Sequence, residues 1–148
     1  MNKLVIVGQA PGRGSGGPCE GRLGRKLAEL FGCTYDEYIA GTERANVLKR
    51  WPGKCGKGDA FPMKKARLAA RRMVRSLAGK RVLLLGKRTA EAFGLEDGYL
   101  SWSKKFVKNG AFPDVAVVPH PSGINRWFND GVNRAACRGF MQQAWRAR

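Results

Sequence analysis

The sequence predicts a single α/β domain, a three-layer α/β/α sandwich around a four-stranded, mostly parallel sheet. Three observations carry this expectation. Apolar runs of strand length alternate with longer stretches of helical periodicity. Those runs, Leu4-Val5-Ile6-Val7, Arg81 to Leu85 and Val115-Ala116-Val117-Val118, are nearly continuous in apolar character, as strands covered on both faces are. The 148 residues suffice for one core and not for two, and no repeat or linker interrupts them.

The elements follow in order. Residues 4–8 form the first strand. Within Arg22 to Phe31, Leu23, Leu27 and Leu30 recur at helical spacing, and Gly32 supplies the stop. Ala45-Asn46-Val47-Leu48 predicts a short second strand, and Trp51 to Asp59 is a Gly/Lys-rich loop. Pro62 opens a helix with Met63, Ala66, Ala70, Met73 and Leu77 inward, and Gly79 closes it. Arg81 to Leu85 is the third strand, followed by a short helix over Thr89–Phe93. Gly94 to Asp114 has no firm pattern, and Val115 to Val118 is the last strand. A C-terminal helix is expected from Gly131 to Trp145, with Val132, Ala136, Phe140 and Ala144 in line.

Charge limits the partners. Lys and Arg number 28 against 11 Asp and Glu, a net charge of +17. Such an excess repels itself within the fold and attracts polyanions, of which nucleic acid is the expected one. No segment has the length of a membrane span, and no signal-peptide pattern precedes the first strand, so a cytoplasmic or nucleoid-associated monomer is expected. Cys19, Cys33, Cys55 and Cys137 are scattered, without metal-ligand spacing. Neither a metal nor a cofactor is expected.

Two loops stand out. Gly8-Gln9-Ala10-Pro11-Gly12 follows the first strand, and His120-Pro121-Ser122-Gly123-Ile124-Asn125 follows the last and carries the single histidine. At the carboxyl ends of parallel strands, such loops form the ligand crevice. Gly12-Arg13-Gly14-Ser15-Gly16-Gly17 also fits G-x-G-x-x-G. Three residues separate it from the strand, however, and no acidic residue ends a second strand, which argues against a dinucleotide site.

Together the two loops resemble the signature motifs of the uracil-DNA glycosylase superfamily. Gly17-Pro18-Cys19-Glu20-Gly21-Arg22-Leu23-Gly24 is similar to the glycine-spaced segment of its bacterial and archaeal branches, and Asn46 resembles the family's base-reading asparagine. The resemblance covers most of the chain in order. It implies hydrolysis of the N-glycosidic bond of uracil, or of a 5-substituted uracil, in DNA after base flipping. An extruded nucleotide is read on its pairing edge. The Asn46 amide offers the donor and acceptor that uracil O4 and N3–H require. His120 and backbone N–H groups of the first loop would stabilise the charge left on the departing base. Gln9 is the expected water-orienting group, and Gly8, Ala10, Gly12 and Cys19 are expected to border the base. In the family, residues after His-Pro-Ser enter the minor groove. Gly123, Ile124, Asn125 and Arg126 stand there, with Ser122 just before them also expected to contact DNA, and an apolar wedge beside a cation suits that task.

Lys49, Lys54 and Lys57 follow the proposed base-reading strand and are expected to contact phosphates, as Arg50 is. Lys64, Arg67, Arg71 and Arg75 share one helix face, open equally to phosphate contact and to plain solvation. Trp127 and Phe128 fit either stacking on bases or anchoring in the core.

The departures from the family are specific. Ala10 stands where the best-studied branch has an aspartate, and Gln9 where other branches often have a glutamate. An amide orients water but takes no proton. Glu20 and Glu43 are the nearest carboxylates in the motif segments. Gly12 replaces a tyrosine that screens C5 of the base in the most selective branch, and Cys19 replaces a stacking phenylalanine. A wider pocket, open to 5-substituted uracils, is the expectation. The alternative is a DNA-binding module of the same fold that has lost catalysis.

Overall fold

The chain alternates strand and helix much as its apolar runs require. The computed structural model describes residues 3–12, 16–96, 98–104, 113–122 and 125–148. Its elements are β1 (Leu4–Gly8), α1 (Gly21–Phe31), α2 (Tyr35–Gly41), β2 (Thr42–Asn46), β3 (Lys54–Cys55), β4 (Gly58–Asp59), α3 (Met63–Ser76), β5 (Arg81–Leu85), α4 (Lys87–Ala92), β6 (Ser103–Lys104), β7 (Asp114–Val118) and α5 (Gly131–Arg146). A 3₁₀ turn, Arg126–Asn129, precedes α5.

The main sheet has the order β2-β1-β5-β7-β6. The β1–β2, β1–β5 and β5–β7 pairs are parallel, and β6 adds an antiparallel edge. Side-chain alternation divides the core. Leu4, Ile6, Leu83, Leu85, Ala116 and Val118 meet α1, α2 and α5 through Leu27, Phe31, Tyr38 and Met141. Val5, Val7, Val82, Leu84 and Val115 meet α3 and α4 through Ala66, Ala70 and Ala92. The chain leaves β1 toward one helical layer and β5 toward the other, so the neighbouring carboxyl ends of β1 and β5 bound the crevice of an open α/β sheet.

The α/β/α sandwich stands, with five strands in the main sheet among the described residues rather than four. The extra strand, β6, is two residues long and lies in the stretch without periodicity, so no alternation signals it. The second strand begins at Thr42, not Ala45. Its first residues, Thr42-Glu43-Arg44, are polar because β2 is an edge strand, and charge on an edge blocks further pairing. Val47 and Leu48 still donate to Gly8 O and Gln9 O at 2.9 Å each, which is why they read as strand. The helix expected at Thr89–Phe93 is α4, which begins two residues earlier and ends one earlier.

The C-terminal helix has the expected span but a different inward line. Cys137, Met141 and Ala144 are buried, whereas Val132 is 77% exposed and Ala136 is exposed. Phe140 is half-buried against the core, on Trp102. Asp130 caps this helix by accepting from Val132 N at 2.8 Å, which holds Val132 in the solvent-facing first turn. Two short elements, the hairpin β3–β4 and α2, went unanticipated. Among the described residues, no helix is long and apolar enough to cross a membrane.

Candidate functional site

Because β1, β2, β5 and β7 run parallel, their carboxyl ends share one edge of the sheet, and both motif loops lie there. The loops meet at Gly86, which follows β5. Its φ is +87°, and a Cβ there would lie 3.3 Å from both Gln9 Nε2 and His120 Cβ. Glycine thus permits the backbone turn and the close approach of all three loops.

A hollow of about 350 Å³ opens at this junction. Gln9, Ala10 and His120 line it, with Ser122 and Asn125 from the second loop. Asp59 and Phe61 wall it from the hairpin side, and Lys87, Arg88 and Tyr99 complete it. Arg88 Nη1 donates to Asp59 O at 3.0 Å, and Trp51 Nε1 donates to Asp59 Oδ1 at 3.1 Å. The hairpin is thereby fastened to α4. Tyr99 packs edge-on to Trp127, ring centroids 5.6 Å apart, with Lys87 Nζ 5.6 Å from its centroid.

His120 is held by its own loop. Ser122 N and Asn125 Nδ2 both donate to His120 O at 2.8 Å, and Asn125 Oδ1 accepts from Trp127 N. Lys26 Nζ on α1 donates to Pro121 O at 3.2 Å. Burial lowers the His120 pKa below the ordinary histidine value, and the Lys26 charge lowers it further. The imidazole is therefore neutral at pH 7, with one donating nitrogen and one accepting nitrogen.

Asn46 lies on the other side of the first loop. It lines a separate hollow of about 320 Å³ with Pro11, Pro18, Arg44 and Lys49. A Cβ on Gly8 would lie 2.7 Å from Asn46 Oδ1 and 2.9 Å from Cys19 Sγ, so both side chains converge on the end of β1. Cys19 is 4% exposed and has a φ of +52°, unusual for a residue with a Cβ. Two tyrosines of α2 fix this segment. Tyr38 Oη donates to Cys19 O at 2.8 Å, and Tyr35 Oη accepts from Gly21 N at 2.9 Å, pairing one of the free N–H groups that begin α1. Burial pushes the Cys19 thiol up to about 12, so it remains protonated.

The structure thus brings Gln9, Ala10, His120, Ser122 and Asn125 together, and sets Asn46, Gly8 and Cys19 on the far side of the loop. Gly12 is exposed and borders neither hollow. Arg126 is exposed, whereas the Asn125 amide is engaged within its own loop. Gly123 and Ile124, the proposed wedge, lie outside the described residues. Lys49, Lys54 and Lys57 are exposed on the same sheet edge and its hairpin. Trp127 and Phe128 are half-buried and pack against the core.

Sequence reasoning missed Asp59, Phe61, Lys87, Arg88 and Tyr99. Only the turn chemistry of Gly56 and Gly58 hinted at a hairpin here. The two glutamates it considered are placed elsewhere. Glu20 faces Arg44 at 3.8 Å, and Glu43 pairs with Lys80 at 2.8 Å. Neither lines the His120 hollow. Among the described residues, no group of three His, Cys, Asp or Glu side chains is arranged to hold a metal. Comparison of the sequence with protein-family models and with curated proteins finds no match.

Proposed function

We propose that this protein is a monofunctional DNA glycosylase that excises uracil, or a 5-substituted uracil, and leaves an abasic site. The observation that carries the reading is the meeting of His120 with Gln9 and Ala10 in one hollow at the ends of parallel strands. In this reading the flipped base lies across the start of the first loop, with its pairing edge toward Asn46 on one side and O2 toward His120 on the other. As the C1′–N1 bond breaks, its electron pair leaves on the base. A neutral imidazole N–H, held in place by its loop, stabilises that charge without first giving up a proton. Lys49, Lys54, Lys57 and Arg126 supply phosphate contacts, and the net charge of +17 supplies attraction at longer range. The protein works on DNA as a monomer, in the cytoplasm or on the nucleoid.

The test is a set of labelled duplexes containing paired uracil, mismatched uracil or 5-hydroxymethyluracil, followed by alkaline cleavage. Strand breaks at uracil are expected, and also at 5-hydroxymethyluracil, given the small Cys19 beside Asn46 at the end of β1. Cleavage of uracil alone would contradict the wider pocket. Tight binding without breaks would favour the inactive module, a reading that the lack of an acid at Gln9 and Ala10 supports.

Gly8→Ala probes Asn46. The new methyl would meet two side chains rather than backbone, Asn46 Oδ1 at 2.7 Å and Cys19 Sγ at 2.9 Å. The amide, as the longer and less buried of the two, turns aside first. Losing its contact with the base is expected to lower excision about 5–30-fold, the weight of ~1–2 kcal/mol. An unchanged excision rate would remove Asn46 from the reading.

The histidine sets an acid dependence of stability. As pH falls, the unfolded chain takes up the proton first, near the ordinary value of about 6.5. Stability held by neutral His120 is complete above that value and is lost as pH falls toward the lowered folded pKa. Between about pH 7 and pH 5, the wild-type melting temperature should therefore drop more than that of His120→Gln. Equal drops would contradict the assigned direction.

A further inference from the structure

The reading above leaves hydrolysis without a group to receive the proton of the attacking water. Gln9 is an amide, Ala10 is apolar, and Glu20 and Glu43 are paired outside the hollow. One acidic residue does line the His120 hollow among the described residues, and it comes from the hairpin: Asp59. Resting on the glycosylase reading, we infer that Asp59 is the catalytic carboxylate that receives the proton of the water attacking C1′.

Its setting fits the task. The Trp51 indole N–H donates to Oδ1, and Arg88 grips the backbone oxygen of the same residue. The carboxylate is thus fixed in position through Oδ1, and its capacity for several acceptor bonds lets it bind water as well. Gln9 and Ala10 line the same hollow, so a water held there between Gln9 and Asp59 would be oriented by an amide and deprotonated by a carboxylate. Asp59 is exposed, which keeps it within reach of solvent.

The balance is simple. The C1′–N1 bond breaks with its electron pair going to the base, where His120 stabilises it. The negative carboxylate opposes the positive charge developing on the sugar. Water oxygen then bonds to C1′, its proton passes to Asp59, and that proton returns to the base anion or to solvent. No oxidant, metal or second substrate is needed.

Asp59→Asn keeps an acceptor for Trp51 and removes the base. Single-turnover release of uracil from a duplex should fall about 100-fold or more, in the range of a lost general base. DNA affinity by fluorescence anisotropy should stay within about threefold, as should that of Cys55→Ser, whose exposed thiol at the hairpin tip plays no part and whose rate should equal wild type. Added formate should restore part of the rate to Asp59→Ala and none to His120→Ala. Wild-type rates in Asp59→Asn, with His120→Ala inactive, would overturn the assignment and leave the glycosylase reading standing. Absence of base release from wild type would overturn both.

Discussion

His120→Ala should lower base release by ~10²–10³-fold while leaving DNA affinity within a few-fold of wild type. Removing one preorganised donor from a developing anion lowers a rate by ~10²–10³. The alanine variant keeps the loop, because Ser122 N and Asn125 Nδ2 bond to the backbone oxygen of residue 120 and not to its ring. Lys26 likewise holds Pro121 through its carbonyl. Loss of activity in this variant therefore reports chemistry rather than collapse of the site. Single-turnover kinetics beside anisotropy checks it, and retention of more than about a tenth of the wild-type rate would remove His120 from the role given to it.

The second large effect concerns stability. In Gly24→Ala, the new Cβ would lie 2.7 Å from the Cys19 carbonyl oxygen and 3.0 and 3.1 Å from the Tyr35 and Tyr38 rings. Helix propensity favours alanine by up to ~1 kcal/mol. Sterics win here, because the nearest obstacle is backbone. Cys19 already sits at positive φ, with its carbonyl bound to Tyr38 Oη, and cannot move without loss. A net destabilisation of ~1–3 kcal/mol is expected, typical of overpacking. Gly139→Ala, with nothing within 4 Å of its new Cβ, should instead stabilise. Urea denaturation with an unchanged slope measures both, and equal shifts would contradict the packing assigned to Gly24.

Much of the sheet was legible because β1, β5 and β7 are buried on both faces and so carry apolar runs that few other contexts tolerate. Helix α1 was legible for a different reason, its leucine spacing and the left-handed Gly32 that ends it. Helix α2 has seven residues, too few for periodicity to speak. Its signal was local: Thr34 and Glu37 form a capping box. That helix matters to the site, since Tyr35 and Tyr38 fasten the Cys19 segment. In α5 the small residues Ala135, Ala136 and Ala144 blur the apolar face, and the line through Cys137 and Met141 is the one that packs.

The candidate site divides in the same way. His120 and Gln9 were legible because each sits in an irregular loop directly after a buried strand. Asp59 and Tyr99 were not, because they reach the hollow through long-range packing. Asp59 comes from a hairpin of two-residue strands, and Tyr99 from an isolated bridge to Val117. Nothing in their immediate sequence announces that they line the same hollow as His120.

The most direct measurement of the central claim is chromatographic detection of free base after incubating the wild-type protein with a uracil-containing duplex. Release of uracil together with an equal quantity of alkali-labile abasic sites is the predicted result. Saturated binding of that duplex with no free uracil would contradict it.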